Sequence, residues 1–335
     1  MTKLRFFNII LLIAVLISCQ RNPLEIDVSQ VDATVEVKRL DQLLFEEADI
    51  VTKHGQLHEE FGEFYRFYVE QVLRAGAVDD SATSYYIDGF VTDPVIREVQ
   101  AECTKQFADF EPVQQELELA LKHYKYYFPE KPLPEVVTFV SGFQYPVMVT
   151  DKTLGIGLDM FLGVDSDFYV RLKLPRFQVR NMTKERIKVD AIRGWVSSEY
   201  EIDELTGDLL SLMLHRGKLL YLMDAMMPAV EDSLKIGYTG TQLAWCQENE
   251  LRMWAQLVEN NLLYKTDYAD KMKFINDGPF TSVFPKESPA RTGEWLGWQI
   301  IRSYMEKNSN LTLQELMDEK SATKILNQSG YKPAR

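Results

Sequence analysis

His215-Arg216-Gly217-Lys218-Leu219 lies in an apolar, helix-like stretch at the place where a zinc hydrolase would carry H-E-x-x-H. In that motif two histidines one helical turn apart hold the metal. A glutamate beside the first takes a proton from the bound water, and an acidic residue on a later helix completes the ligand set. In this chain Arg216 holds the position of the base and Leu219 that of the second ligand. A guanidinium accepts no proton from water at neutral pH, and a leucine side chain has no lone pair for a metal. His215 is the last of four histidines, so no shift of register restores the motif. Even with Glu250 brought up from the following helix, two protein ligands fall short of the three usual at a catalytic zinc. Nucleophilic catalysis fares no better, since a triad needs a base beside its nucleophile and none of the histidines sits in a G-x-S-x-G or similar elbow. His54 and His58 are four apart, with Gly55 between them and no third ligand nearby, and read as solvated side chains. The expectation is a chain with no catalytic residue, no metal ligand set and no cofactor.

Two long, largely buried helices must position these residues, one over Asp203 to Asp224 and one over Thr241 to Asn260. In the first, Leu205, Leu209, Leu212, Met213, Leu219, Leu220 and Met223 spill round the cylinder, the pattern of a helix packed on several sides. Upstream, helical spacing runs through Leu40 to Leu73 and Phe90 to Tyr127. Pro129, Pro132 and Pro134 then end it, Val136 to Val140 reads as a strand, and Tyr145–Thr150 with Leu154–Asp159 as a hairpin. Arg176 to Ser198 is again helical, and Glu294 to Glu306 is the last clear helix before a docked helical tail. The fold class expected is α+β, mainly helical, with a small mixed sheet preceding two central helices. That order resembles the gluzincin-type, zincin-like arrangement. A cleft on such a body would be lined by His215, Lys218, Tyr221, Glu250 and Arg291. Each has a structural alternative: Lys218 extending to the surface, Tyr221 in the core, Glu250 paired with Arg252 or Arg216.

The ends divide the chain. Lys3 and Arg5 precede an apolar run, Phe6 to Ile17, closed by Leu16-Ile17-Ser18-Cys19. A basic start, a short apolar core and a small residue before cysteine make a secretory signal too short to span a bilayer as a mature helix. Leu-x-Ser-Cys resembles the bacterial lipobox, which implies cleavage before Cys19 and acyl chains on its sulfur. The expected organisation is a signal peptide (1–18), a lipidated tether (19–34) and one domain (35–335). Loss of residues 1–18 removes two basic and no acidic residues, so the formal charge goes from −13 to −15. Such an acidic body is a poor binder of nucleic acid; the membrane partner would be met through the lipid on Cys19. Cys103 and Cys246 read as two buried free thiols.

Longer phrases carry a more specific likeness. GIGLDMFLG (155–163), GKLLYLMDAMMP (217–228), YTGTQLAWCQENELRMWAQLVENNLLYKTD (238–267) and DGPFTSVFPKESPARTGEWLGWQIIRSYM (277–305) resemble the gliding-motility lipoprotein GldB family of the Bacteroidetes. That family is itself similar to predicted zinc-dependent proteases. The resemblance implies an outer-membrane or periplasm-facing lipoprotein required for gliding, a process linked to type IX secretion, with protein partners in the gliding machinery; the expected placement is the outer membrane, facing the periplasm. With the motif at His215 changed, it implies a non-catalytic binding or assembly factor; the alternative is a metallopeptidase or other hydrolase acting on envelope proteins.

Overall fold

In the computed structural model residues 22–46 and 49–333 are described; the signal at 1–18 and the lipidation site Cys19 lie outside them. β1 (Val37–Arg39) leads into a helical layer of α1 (Leu40–Leu43), α2 (Ile50–Phe67), α3 (Thr83–Thr92), α4 (Pro94–Gln106) and α5 (Glu111–Tyr127). Asp93 caps α4 by accepting from the amides of Val95 and Ile96, with Pro94 in the first turn, as a polar cap followed by proline favours. α2 bends at Gly62, whose φ of 51° is one glycine adopts readily. His54 of α2 is not solvated as expected: its ring nitrogens bond the Tyr65 hydroxyl (3.1 Å) and the Val78 carbonyl (2.8 Å), bracing the helix against the following loop.

After the proline-rich break come β2 (Glu135–Phe139), β3 (Val147–Val149) and β4 (Thr153–Gly157). The sheet order is β1-β2-β4-β3; β1 and β4 run parallel to β2, and β3 pairs antiparallel with β4 in the expected hairpin. The small mixed sheet therefore precedes the central helices as anticipated; the three-residue β1 was not foreseen. β4 is buried along its whole length, which explains its glycines. A side chain at Gly155 would meet the Phe64 ring at 2.5 Å, and one at Gly157 the Tyr145 carbonyl oxygen at 2.1 Å.

The second half carries α6 (Asp167–Arg171), α7 (Arg176–Val179), α8 (Ile187–Glu199), α9 (Leu209–Met226), α10 (Asp232–Ile236), α11 (Gly240–Glu259), α12 (Tyr268–Ile275), α13 (Thr292–Lys307), α14 (Leu313–Asp318) and α15 (Ala322–Ser329). α9 lies at the centre, packed on α5, α8 and α13, and fourteen of its residues are buried. It starts at Leu209 rather than Asp203 for a local reason. Asp208 takes the N-cap by accepting from the Ser211 amide at 2.9 Å, and Gly207 turns the chain at φ 72°. The preceding turn is held by the fully buried Lys271, whose ammonium donates to the carbonyls of Glu204, Thr206 and Gly207 at 2.9–3.2 Å. Thr239 and Gln242 form a capping box on α11. Of the stretch read as a tether, Val28 and Ala33 are buried, and Leu24 packs on the core. The segment behind them is tied to α5, with Glu118 accepting from the Val35 amide and Gln114 donating to its carbonyl. Cys103 and Cys246 are buried free thiols. Among the described residues no helix is long and apolar enough to cross a membrane.

Candidate functional site

The five residues expected to line one cleft are distributed over several places. His215 and Lys218 share a cavity of about 290 Å³ beneath the C-terminal tail, with Tyr200, Asp203, Glu319 and Lys320. Lys218 donates there to the Glu319 carbonyl. Burial, together with Arg216, Lys218 and Lys320, presses the His215 imidazole down to about 4. Burial and Lys320 lower Lys218 to about 8. Tyr221 is packed against the core, where burial above all pushes its phenol up to about 12. Glu250 pairs with neither Arg252 nor Arg216; it accepts from the Tyr331 hydroxyl of the tail. Arg291 lines a different and larger cavity.

That larger cavity, about 590 Å³, opens where α8, α9, α12 and α13 converge on the loop before β3. Arg186 and Arg193 reach it from α8 and its lead-in, Arg216 from α9, and Arg291 from the start of α13. Each guanidinium is oriented by a carboxylate on the same wall: Arg186 by Asp190, Arg193 by Glu294, Arg216 by Glu204. Arg291 is held by Glu294 at 3.4 Å and Asp277 at 3.5 Å. The short helix α10 supplies further anchors through the carbonyls of its last turn and C-cap. Arg186 donates to Leu234, Arg291 to Ile236 at 2.7 Å, and Asn181 to Gly237 at 3.2 Å. Gly237, at φ 73°, makes this convergence possible, since a Cβ there would lie 3.2–3.4 Å from Asn181 Nδ2, Arg186 Nη1 and Arg291 Nη2. Arg291 is itself left-handed, at φ 59°, a conformation uncommon outside glycine and held only where surrounding contacts fix it.

The arginines are not saturated by these contacts. The Nε–H groups of Arg180, Arg186 and Arg216 are buried without a hydrogen-bond partner in the protein, and that of Arg291 has only the ion-pair contact with Asp277; Arg186 is only 6% exposed. Burial lowers Arg180 and Arg193, though Asp277 and Glu294 pull the other way. Burial likewise opposes the charge on Arg291, yet Glu294, Tyr238 and Asp277 outweigh it and hold the group above its ordinary value. Guanidinium groups with such neighbours remain cationic at neutral pH. The remaining wall combines apolar Phe143, Pro146, Met160, Phe161, Leu174 and Ile275 with the amides of Gln144, Gln178, Asn181 and Asn276. This is a donor-rich, water-accessible recess, with no nucleophile and base held side by side.

The surroundings of His215 do not suit a zinc ion. Its neighbours on the helix are Arg216 and Lys218, Lys320 shares its cavity, and the Leu219 side chain is 2% exposed in the core. Among the described residues no three His, Cys, Asp or Glu side chains are grouped as a metal site would require. Of these arginines, Arg291 was expected in the cleft, and Arg216 stood out as a departure from a motif and a possible partner of Glu250. A local signal was present for the rest. From Arg171 to Arg193 there are eight basic and two acidic residues, in a chain with 37 basic and 50 acidic overall. Such a run is ordinarily a solvated face, and Arg171, Lys173 and Arg176 are indeed exposed; Arg186 and Arg193 turn inward because α8 packs against α9 and the sheet.

The family model described as gliding motility protein GldB matches residues 21–333. No curated protein and no solved structure is significantly similar to the chain.

Proposed function

The chain belongs to the gliding motility protein GldB family, and from that membership we propose that it is a lipid-anchored envelope protein of gliding whose body is a non-catalytic binding or assembly factor. The anchor is Cys19, the body is the single domain that follows it, and the facing compartment is the periplasm at the outer membrane. The reading of the body as a zincin-like scaffold without catalysis rests on one observation. At the position where a zinc peptidase carries its proton-accepting glutamate, the side chain is a guanidinium fastened to Glu204, while Leu219 in the second ligand position is sealed in the core. What stands there donates hydrogen bonds and accepts none.

The test uses the mature lipoprotein purified from its native envelope. Metal analysis and a peptide-hydrolysis assay with and without chelator are expected to show neither stoichiometric zinc nor chelator-sensitive turnover. Crosslinking in intact cells is expected to capture envelope proteins. Stoichiometric zinc together with turnover abolished by chelator would overturn the non-catalytic reading, and gliding unaffected by deletion of the gene would overturn the assignment to motility.

A further inference from the structure

The arginine-lined cavity is open, half apolar, and furnished with buried donors that the protein leaves unused. Four guanidinium groups of the lining, Arg186, Arg193, Arg216 and Arg291, meet four carboxylates, Asp190, Glu204, Asp277 and Glu294. The lining is therefore charge-balanced before a ligand enters. A monoanion adds one negative charge to that balanced lining and a dianion two, so the smaller charge is better tolerated in a recess whose Glu294 is already 1% exposed. Unsatisfied buried N–H groups cost free energy that an incoming acceptor recovers. Arginine presents those donors in a planar fork matched to the two oxygens of a carboxylate. The volume lies within the range of sites for small ligands, which combine apolar walls with a few placed polar groups.

We propose that this cavity binds a monocarboxylate carried on an apolar body, its carboxylate received by Arg193, Arg216 and Arg291 and its body packed on Phe143, Met160 and Leu174. Peptide C-termini and short aliphatic acids share this chemistry. The proposal rests on the reading of the body as a binding factor and names what it binds. The four wall carboxylates hold the guanidinium groups in place before the ligand arrives, so little side-chain freedom remains to be lost on binding.

The experiment is calorimetric titration of the mature lipoprotein in detergent with two acids, N-acetyl-leucyl-phenylalanine and hexanoate, each compared with its amide. Inorganic phosphate serves as a competitor. At least one acid is expected to bind saturably at one per chain, with its amide weaker by about tenfold or more, since a charge-assisted bidentate contact is lost. The arm that binds more tightly identifies the source as peptide or aliphatic acid. Arg216→Gln, with folding checked by thermal melting, is expected to weaken the acid and not the amide; Gln178→Ala, a milder change on the same wall, covers the case in which the first variant fails to fold. Arg66→Gln, on a distant surface, is expected to change nothing. Equal binding of acid and amide, absence of saturable binding by both acids, or tighter binding of phosphate than of either acid would overturn the proposal. If the acids fail while the hydrolysis assay stays blank and crosslinking still captures envelope proteins, the ligand class falls and the binding-factor reading stands.

Discussion

Gly217 of α9 and Gly297 of α13 lie where the two helices touch backbone to backbone. A Cβ on Gly217 would come within 2.3 Å of the Gly297 carbonyl carbon, and one on Gly297 within 1.9 Å of the Met213 carbonyl oxygen. Neither neighbour is the end of a flexible side chain that could swing away. The crossing also sets the cavity, because Arg216 precedes one glycine, and Arg291 and Glu294 lie on the first turn leading to the other. Gly297→Ala is therefore expected to cost about 2–4 kcal/mol despite the better helix propensity of alanine. Chemical denaturation would show this as a lower midpoint with an unchanged slope; a midpoint within error of the wild type would show that the helices part without strain.

Arg216 and Glu204 form an ion pair with side chains 26% and 31% exposed, so solvent screens it and its net contribution is modest, about 1 kcal/mol. Arg216→Glu sets two carboxylates face to face and is expected to destabilise the protein by about 1–2 kcal/mol. It is also expected to create no peptidase, since Leu219 still offers no ligand. A second change, Glu204→Arg, should recover most of the lost stability by reversing the pair. A double-mutant cycle measures the coupling. Zero coupling would mean that the two side chains do not meet in solution.

His215 ties stability to acidity. Folding lowers its pKa from 6.5 to about 4, chiefly by burial and further through Arg216, Lys218 and Lys320. Between pH 6.5 and 4 the unfolded chain therefore binds more protons than the folded one, and stability falls as pH falls across that window. His215→Asn removes this dependence. The stability of the wild type relative to the variant should be flat above pH 6.5 and decline on the order of 2 kcal/mol by pH 4. Urea unfolding at closely spaced pH values measures the difference, and a difference that stays constant from pH 7.5 to 4 would contradict the depressed pKa.

Cys103 and Cys246 are both fully buried, and burial raises both thiols, which keeps them protonated and poorly nucleophilic. Neither is expected to react with iodoacetamide in the native protein, and both are expected to react in denaturant without prior reduction. A need for reductant before labelling would reveal a disulfide in place of two free thiols.

Periodicity made the helices legible, and β-branched runs the strands. The all-round apolar pattern within Asp203 to Asp224 pointed to a central helix, and YPVMVT with LGIGLD to a hairpin. Contacts that join residues far apart in sequence were not legible. Lys271 closing the turn at 204–207, Gly297 answering Gly217, and four arginines from three elements meeting in one recess depend on packing that no local spacing encodes. The same limit scattered the expected cleft. Successive residues on α9 point about 100° apart, so His215 and Arg216 line different cavities although they are adjacent in the chain.

Glu250 shows what an acidic residue on the second central helix does here. It accepts from the Tyr331 hydroxyl, and the Tyr331 ring stands edge-on to Trp254, one turn further along α11, with centroids 5.2 Å apart. Burial and the bond to Glu250 raise the Tyr331 phenol, so the hydroxyl remains a donor at neutral pH. The contact pins the end of the chain behind α15 across α11. Tyr331→Phe removes the hydroxyl and leaves Glu250 without its donor, at a cost of about 1–2 kcal/mol. Tyr331→Ala also removes the aromatic pair, adding about 1 kcal/mol or more. Because α15 packs on α13, loosening of the tail should appear as faster amide exchange in α15 before the centre of the fold is affected. Trp254 fluorescence is expected to shift toward that of a solvated indole in the alanine variant and hardly at all in the phenylalanine variant. An unchanged spectrum and unchanged exchange in the alanine variant would mean that Tyr331 does not hold the tail.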